Sequence, residues 1–188
     1  MLLIKPSGSS GLAFALEPIP LSLEYIAANL LYKVTGFSEE NIMIIDMFKE
    51  KKDIMYFLKY FKPDIVGITM SATEHFEGIN ILKKSKTFNP NIFCIVGGYH
   101  PVGIPEVLLE EGFDAVCRTD GELVMVDLVN GIPLHEIKGI SFKDPQTKKI
   151  IHTPLPERLP DLDSYPYPAR RLRRYTYQNL FLRDRVFD

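Results

Sequence analysis

The sequence has little cysteine, no long apolar run and little net charge, and each shortage excludes a class of protein. Its 188 residues include two cysteines, both in apolar segments, which favours buried thiols over a disulfide or a metal site. A formal net charge of -2 argues against a dedicated nucleic-acid-binding protein. No apolar run approaches the roughly 20 residues of a membrane span, and residues 1–4 are too short for a signal peptide. We therefore expect a cytoplasmic protein.

The chain nevertheless has enough apolar side chains for a core, because 46% of its residues are hydrophobic. Five short apolar runs indicate strands that are buried on both faces: residues 1–4, 41–46, 64–70, 92–96 and 113–117. A segment with helical spacing of apolar residues follows each run, near residues 22–36, 54–62, 73–87, 104–111 and 123–129. Ser22 is the expected N-cap of the first helix, and Thr73 that of the third.

Strands that alternate with helices predict an α/β fold, with helices on both faces of a parallel sheet. We expect a flavodoxin-like (Rossmann-like), three-layer, doubly wound sheet of five strands in the order 2-1-3-4-5. Two further strands predict a C-terminal β-hairpin, followed by an extended proline-rich segment and a basic tail. The predicted parts are an α/β domain over residues 1–135, an appended hairpin over residues 136–155, and a linker with a tail over residues 156–188.

The stretch NIFCIVGGYHP, residues 91–101, is the candidate ligand edge of this sheet. Gly97 and Gly98 stand where the fourth strand ends, and residues without a Cβ let a bulky ligand approach the main chain. Ligands of open α/β sheets bind at the carboxyl ends of the strands. We therefore expect the turns of residues 71–73, 97–101 and 118–122 to converge there.

Six motifs occur in order along the chain: PLSLEYIAANL, PDIVGITMSA, IVGGYHP, the TDGE turn, the GISF hairpin and LPDLDSYPYPAR. In this order they resemble the N-terminal cobalamin-binding domain of radical S-adenosylmethionine (radical SAM) enzymes, over about residues 1–170. The resemblance implies that the chain binds cobalamin (vitamin B12). It further implies that the nucleotide tail of the cofactor enters a slot between the sheet and its helices.

The resemblance also implies which residues contact the cofactor. The two glycines would leave room for the nucleotide tail, and the hydroxyls of Ser71 and Thr73 would face its base or ribose. The corrin ring would lie over the loop of residues 5–21 and over Tyr99 and His100. The full set implied to bind the cofactor is Pro6, Ser7, Ser71, Ala72, Thr73, Gly97, Gly98, Tyr99, His100, Pro101, Thr119, Gly121 and Glu122. No catalytic residue and no metal ligand is assigned.

Two motifs of related proteins are missing. Cobalamin domains of the methionine-synthase type carry Asp-x-His-x-x-Gly after the first strand, but residues 5–21 contain no histidine. We therefore expect base-off cobalamin without a histidine ligand from this loop. The catalytic domain of the radical enzymes holds its four-iron cluster on Cys-x3-Cys-x2-Cys, which is absent here. The resemblance thus implies a module that is not catalytic alone and that serves a radical SAM methyltransferase or cyclase domain, in cis or in trans. The iron-sulfur cluster and S-adenosylmethionine would belong to that domain.

A flavodoxin-like flavin- or nucleotide-binding domain is the main alternative. PSGSSG lacks the full G-x-G-x-x-G motif, and no G-K-[ST] is present, although residues 7–10 faintly match a flavin phosphate loop. Purely structural roles also stay open: the glycine pair as a tight turn, Ser71 and Thr73 as helix caps, and the arginine-rich tail as a segment that packs on another domain. A bulky residue at Gly98 is expected to abolish corrinoid binding while the fold stays intact.

Overall fold

The computed structural model describes residues 1–8, 19–157 and 161–175. Within these residues, the strands are β1 (Leu2–Lys5), β2 (Met43–Asp46), β3 (Ile65–Thr69), β4 (Phe93–Gly97), β5 (Ala115–Cys117), β6 (Ile140–Lys143) and β7 (Ile150–His152). The α-helices are α1 (Leu21–Lys33), α2 (Ile54–Phe61), α3 (His75–Phe88), α4 (Tyr99–Gly103), α5 (Pro105–Glu111) and α6 (Gly121–Val129). None of these helices is long and apolar enough to cross a membrane.

All seven strands form one sheet, in the order β2-β1-β3-β4-β5-β6-β7. The first five strands are parallel and follow the predicted order, whereas β6 and β7 are antiparallel. The expected five-stranded sheet is therefore extended to seven, because the hairpin pairs with β5 through Ala115 and Phe142. The side chain of Arg118 supports this junction by donating to the carbonyl oxygens of Ile140 and Thr153.

The core has two halves, one on each face of the sheet, as the predicted three-layer fold requires. Successive residues of a strand face opposite sides, so Leu2 and Ile4 pack with α2 and α3, while Leu3 packs with α1 and α6. Both faces of β1 are thus buried. This double burial explains why the parallel strands appear in the sequence as continuous apolar runs rather than as an alternating pattern.

Two predicted helix caps are wrong. Helix α1 begins at Leu21, and the carbonyl oxygen of Pro20 accepts from the backbone N–H groups of Leu23 and Glu24, so Ser22 lies inside the helix. Helix α3 is preceded by a short 3-10 helix, Ala72–Glu74, and the backbone N–H of Ser71 donates to Glu74 Oε2 at 2.7 Å. Thr73 therefore lies within this turn instead of capping α3. Helix α4, which starts at Tyr99, is an element that the sequence did not predict.

Residues 169–175, which we call the strap, pack back against the α/β layers. Arg170–Leu172 forms a short 3-10 helix, and Leu172 packs against the core cluster that includes α1. Further along, the hydroxyl of Tyr175 donates to Glu50 Oε2 at 2.9 Å. The strap thereby reaches the loop that follows the carboxyl end of β2.

Candidate functional site

A cavity of about 580 Å³ opens at the carboxyl ends of the parallel strands, between the sheet and helices α1 and α6. Its volume falls within the range of about 300 to 1,000 Å³ that is usual for small-molecule and cofactor sites. The ends of β1, β3, β4 and β5 form one wall, and the starts of α1 and α6 form the other. The three predicted turns converge here, because the strands that precede them are parallel neighbours.

The sheet wall of the cavity consists of two rows of residues. The outer row contains Lys5, Thr69, Gly97 and Cys117, the last residues of four strands. Thr69 and Gly97 are partners in the sheet register. The inner row includes Gly67, where an added Cβ would lie 2.8 Å from Leu3 Cδ2 and 3.6 Å from Met125 Cε. Leu3 and Met125 therefore close the bottom of the cavity.

The glycine pair serves two different purposes. Apart from its chain neighbours, a Cβ at Gly97 would have one heavy atom within 4 Å, Cys117 Cβ at 3.3 Å. The missing side chain of Gly97 thus leaves open cavity space. Gly98 has φ 111°, and a Cβ there would lie 2.7 Å from the carbonyl oxygen of Met70 and 3.1 Å from its backbone nitrogen. The expectation that a bulky residue at Gly98 leaves the fold intact is therefore wrong, because it would displace the main chain of Met70.

The helix wall of the cavity begins at Gly121, the first residue of α6. An added Cβ at Gly121 would lie 3.0 Å from Ile26 Cδ1 of α1, so the absence of a side chain lets the two helices approach closely. Glu122 follows and also lines the cavity. Burial raises the pKa of the Glu122 carboxyl, and the nearby carboxylate of Asp120 acts in the same direction.

A buried ion pair lies at the end of the outer row. Lys5 Nζ is 3.3 Å from Asp46 Oδ1 and 3.5 Å from Oδ2, with 8% of Lys5 and 1% of Asp46 exposed. Lys5 lines the cavity, and the two residues are register partners on β1 and β2. Sequence reasoning assigned neither residue to the cobalamin site and considered Asp46 only as a ribose contact in the nucleotide-binding alternative. The available signal was a charged residue at the last position of each of two apolar strands.

Seven of the thirteen predicted site residues line the cavity: Ser71, Gly97, Gly98, Tyr99, Thr119, Gly121 and Glu122. The other six lie outside its lining: Pro6, Ser7, Ala72, Thr73, His100 and Pro101. His100 Nε2 is 3.1 Å from His75 Nδ1, so the imidazoles join the turn after β3 to the turn after β4. Most of the loop predicted to lie under the corrin ring, residues 9–18, falls outside the described residues.

Apolar residues of α1 and α6 are the second group that sequence reasoning missed. Leu23, Ile26 and Met125 line the cavity. The spacing of Leu23 and Ile26 was interpreted only as one apolar helix face, and Met125 only as part of the fifth predicted helix. These helix faces do pack against the sheet. At the carboxyl edge, however, the helices and the sheet separate, so the same side chains line the cavity there.

A second cavity, of about 460 Å³, lies at the opposite edge of the sheet and is lined by Met1, Phe37, Phe61 and Val129 among others. These residues surround the amino ends of the strands, which is not where open α/β sheets bind ligands. We therefore assign the functional site to the carboxyl edge.

Comparison with curated proteins finds relatives that are much longer than this chain. An uncharacterized methyltransferase of Pyrococcus horikoshii is 33% identical over 159 residues, which are 80% of this chain and 33% of the relative. The anaerobic magnesium-protoporphyrin IX monomethyl ester cyclase of Rubrivivax gelatinosus is 33% identical over 111 residues, 54% of this chain and 20% of the cyclase. The chain thus spans a third of the first relative and a fifth of the second.

Solved structures with the same fold include two S-adenosylmethionine radical enzymes with cobalamin bound. The cobalamin-dependent S-adenosylmethionine radical enzyme OxsB, with aqua-cobalamin bound, has a TM-score of 0.73 and 21% identity, covering 89% of this chain and 24% of OxsB. The radical S-adenosylmethionine methyltransferase TsrM of Kitasatospora setae, with cobalamin and a [4Fe-4S] cluster bound, has a TM-score of 0.65 and 17% identity, covering 88% of this chain and 30% of TsrM.

The family is established by a family model that covers more than half of the chain. The family model describes the B12 binding domain and matches residues 11–129. These residues include helices α1 and α6 and every strand of the cavity's sheet wall except β1. This match confirms the cobalamin-binding identity that the ordered motifs predicted, in preference to the flavin- or nucleotide-binding alternative. The chain belongs to the B12-binding domain family.

Proposed function

We propose that this B12-binding domain holds its corrinoid at the carboxyl-edge cavity for methyl transfer or radical chemistry performed by a radical SAM domain of the same protein. The observation that most directly supports this proposal is the open space beside Gly97, between the sheet and helices α1 and α6. When bound, cobalamin supplies a cobalt centre that can accept and donate a methyl group. The names of the longer relatives, a methyltransferase and a cyclase, and of the solved structures, two S-adenosylmethionine radical enzymes, support the proposed catalytic domain.

The residues of the cavity fit the nucleotide tail of cobalamin. That tail ends in a flat aromatic base, which needs apolar walls and a gap in the side-chain layer of the sheet. Gly97 supplies the gap, while Leu3, Ile26 and Met125 supply apolar contacts. We propose that the seven lining residues of the predicted set contact the tail. The other six predicted residues remain proposed contacts of the corrin ring or supports of the turns.

We further propose that the cofactor is bound base-off and without a histidine ligand from the loop after β1. No histidine occurs in residues 5–21, and none lines the cavity among the described residues. The imidazole of His100 is held by His75 instead. A corrinoid whose base occupies the cavity cannot use that base as the lower cobalt ligand, so the visible spectrum should have the base-off form.

A Gly97→Leu substitution tests the site. Apart from its chain neighbours, the Cβ of the leucine would meet only the side chain of Cys117, at 3.3 Å, and no backbone. We therefore expect the variant to fold and to lose hydroxocobalamin, whereas the parent protein retains it after gel filtration. Gly103→Leu is the matched control, because a Cβ at Gly103 has no heavy atom within 4 Å and Gly103 does not line the cavity. Retention by folded Gly97→Leu would refute this placement of the tail. Flavin bound by the parent protein in place of corrinoid would refute the cofactor.

The division of the chain is also a proposal: residues 1–135 as the α/β domain, 136–155 as the hairpin, and 156–188 as the segment toward a radical SAM domain. A cytoplasmic location is proposed with it. Cys94 and Cys117 support that location, because both are buried free thiols, as expected in a reducing compartment.

A further inference from the structure

Glu24 brings a carboxylate into the interior of the protein. It lies in the first turn of α1, and its side chain is 1% exposed. A carboxylate that is removed from water without a charged or hydrogen-bonding partner is strongly unfavourable. A structure that buries Glu24 must therefore supply a compensating partner, and a cation that also donates hydrogen bonds is the most effective one.

Arg173 of the strap provides that cation. Its Nε donates to Glu24 Oε1 at 2.7 Å and its Nη2 donates to Oε2 at 2.9 Å, so the planar guanidinium engages both carboxylate oxygens. This paired geometry is the strongest form of a charge-assisted hydrogen bond in proteins, and lysine cannot reproduce it. The bridge joins residues 149 positions apart.

Other contacts hold the strap on the same surface. The backbone N–H of Ala169 donates to the carbonyl oxygen of Glu24 at 3.1 Å. Ala169 is 2% exposed and belongs to the core cluster of this face of the sheet. The strap is therefore docked through both the main chain and the side chain of Glu24.

Glu24 lies within the part of α1 that forms the cavity wall. Ser22 and Leu23 precede it, Ile26 follows, and all three line the cavity. The backbone N–H of Glu24 donates to the carbonyl oxygen of Pro20, another lining residue, at 3.2 Å. A displacement of Glu24 would consequently displace the part of the helix wall that faces Gly97 and packs against Gly121.

We infer that Arg173 is a positioning residue for the cofactor cavity. By neutralising Glu24 it fixes the first turn of α1, so the strap completes the cavity wall rather than serving only as a connection. The inference rests on the proposed function, since corrinoid affinity is the property that Arg173 would set. It also means that the part of the chain needed for corrinoid binding includes the strap in addition to the α/β domain and the hairpin.

The test uses the full 188-residue chain with hydroxocobalamin as the probe. Arg173→Met leaves Glu24 buried and unneutralised, and we expect about tenfold weaker hydroxocobalamin binding with faster amide exchange confined to residues 21–26 of the cofactor-free protein. Glu24→Met/Arg173→Met removes both charges and replaces them with apolar groups, and it should recover most of the affinity. Arg171→Met is the matched control, because Arg171 pairs with Glu39 in an exposed bridge two residues away in the strap.

Unchanged affinity and exchange in Arg173→Met would overturn the inference, as would a double variant that is no better than the single one. Exchange that rises throughout the chain would also overturn it, since that pattern indicates general destabilisation. If Arg173→Met does not fold, Arg173→Lys keeps the charge without the paired contact and should weaken binding by a smaller factor. A parent protein that does not bind hydroxocobalamin would refute the proposed function instead, while the exchange measurement would still test the positioning role.

Discussion

Gly97 and Gly98 are adjacent in sequence, but the space around each of them differs. Gly97 faces open cavity, whereas Gly98 lies against the main chain of Met70. The sequence indicated a glycine pair at a strand end, and therefore that another group comes close to the main chain there. It could not indicate which glycine leaves open space and which contacts the backbone of Met70, because that depends on the path of the chain after β3.

Substitution of Gly98 by alanine should destabilise the protein more than substitution of Gly112 by alanine. Both glycines have φ 111°, but Gly112 has no heavy atom within 4 Å of an added Cβ, and Gly98 has the Met70 oxygen at 2.7 Å. We expect a loss of about 1 kcal/mol for Gly112→Ala and about 3 kcal/mol for Gly98→Ala in urea unfolding. Equal losses would show that the contact with Met70 relaxes without cost.

Glu122→Gln should stabilise the cofactor-free protein at neutral pH. Burial raises the pKa of Glu122 in the folded state above its ordinary value of 4.5. Its contribution to stability is therefore fully present below pH 4.5 and is lost as the pH rises through the raised value. The urea midpoint of Glu122→Gln should exceed that of the parent at pH 7, and the difference should shrink on acidification. A difference that is constant with pH would exclude ionisation of Glu122 as its source.

Among the secondary-structure elements, strands and helices were predictable, and their ends were less so. The apolar runs marked all five parallel strands because each is buried on both faces. Ser22 appeared to be a cap, but Pro20 occupies that position, and its carbonyl oxygen accepts the first intrahelical hydrogen bonds from Leu23 and Glu24. Helix α4 was missed because its five residues, Tyr99–Gly103, contain two helix-disfavouring types, proline and glycine.

Asp53 connects helix α2 to helix α3 and should contribute through two separable contacts. Its carboxylate caps α2 by accepting from the Met55 N–H at 2.9 Å, and it forms an ion pair with Lys84 of α3. Asp53→Ala should cost about 1 kcal/mol, mostly from the lost cap. Asp53→Asn can retain the cap and should cost only a few tenths of a kcal/mol, because the ion pair is partly exposed.

The pH dependence of these two variants provides a further check. The hydrogen bond from Lys84 and that from the Met55 N–H lower the pKa of Asp53 below its ordinary value of 3.8. The contribution of the carboxylate is therefore present above pH 3.8 and is lost as the pH falls through the lowered value. The deficit of Asp53→Asn relative to the parent should disappear in acid, as measured by urea unfolding. A deficit that persists there would point to a packing defect.

For the whole molecule, the sequence predicted the sheet order and the ligand edge but not how the C-terminal part packs. The hairpin was expected to be appended to the sheet, and it is, but the edge at which it pairs was not predicted: β6 satisfies the open edge of β5. The contact between Glu24 and Arg173 was also invisible. A glutamate in the first turn of a helix is common for electrostatic reasons, so nothing local indicated that it is buried.

Binding of hydroxocobalamin should stabilise the whole fold by mass action. At a free concentration of about 100 times the Kd, the free energy of unfolding should increase by about 2.7 kcal/mol, provided that the unfolded chain does not bind. Thermal unfolding of the parent protein with and without the corrinoid measures this increase. Gly97→Leu should show no increase at the same concentration, and an equal shift in both proteins would indicate binding elsewhere.

The depth of the carboxyl-edge cavity is set by the side-chain ends of Leu3 and Met125 instead of by the sheet backbone. Gly67 would leave the space open further inward, but Leu3 and Met125 occupy it. Neither side chain takes part in strand pairing through its own atoms, so a smaller residue at either position would lengthen the slot while every ladder hydrogen bond stayed in place. On the proposed placement of the nucleotide tail, single substitutions at Leu3 or Met125 would therefore fit the domain to tails of different length without any change of topology.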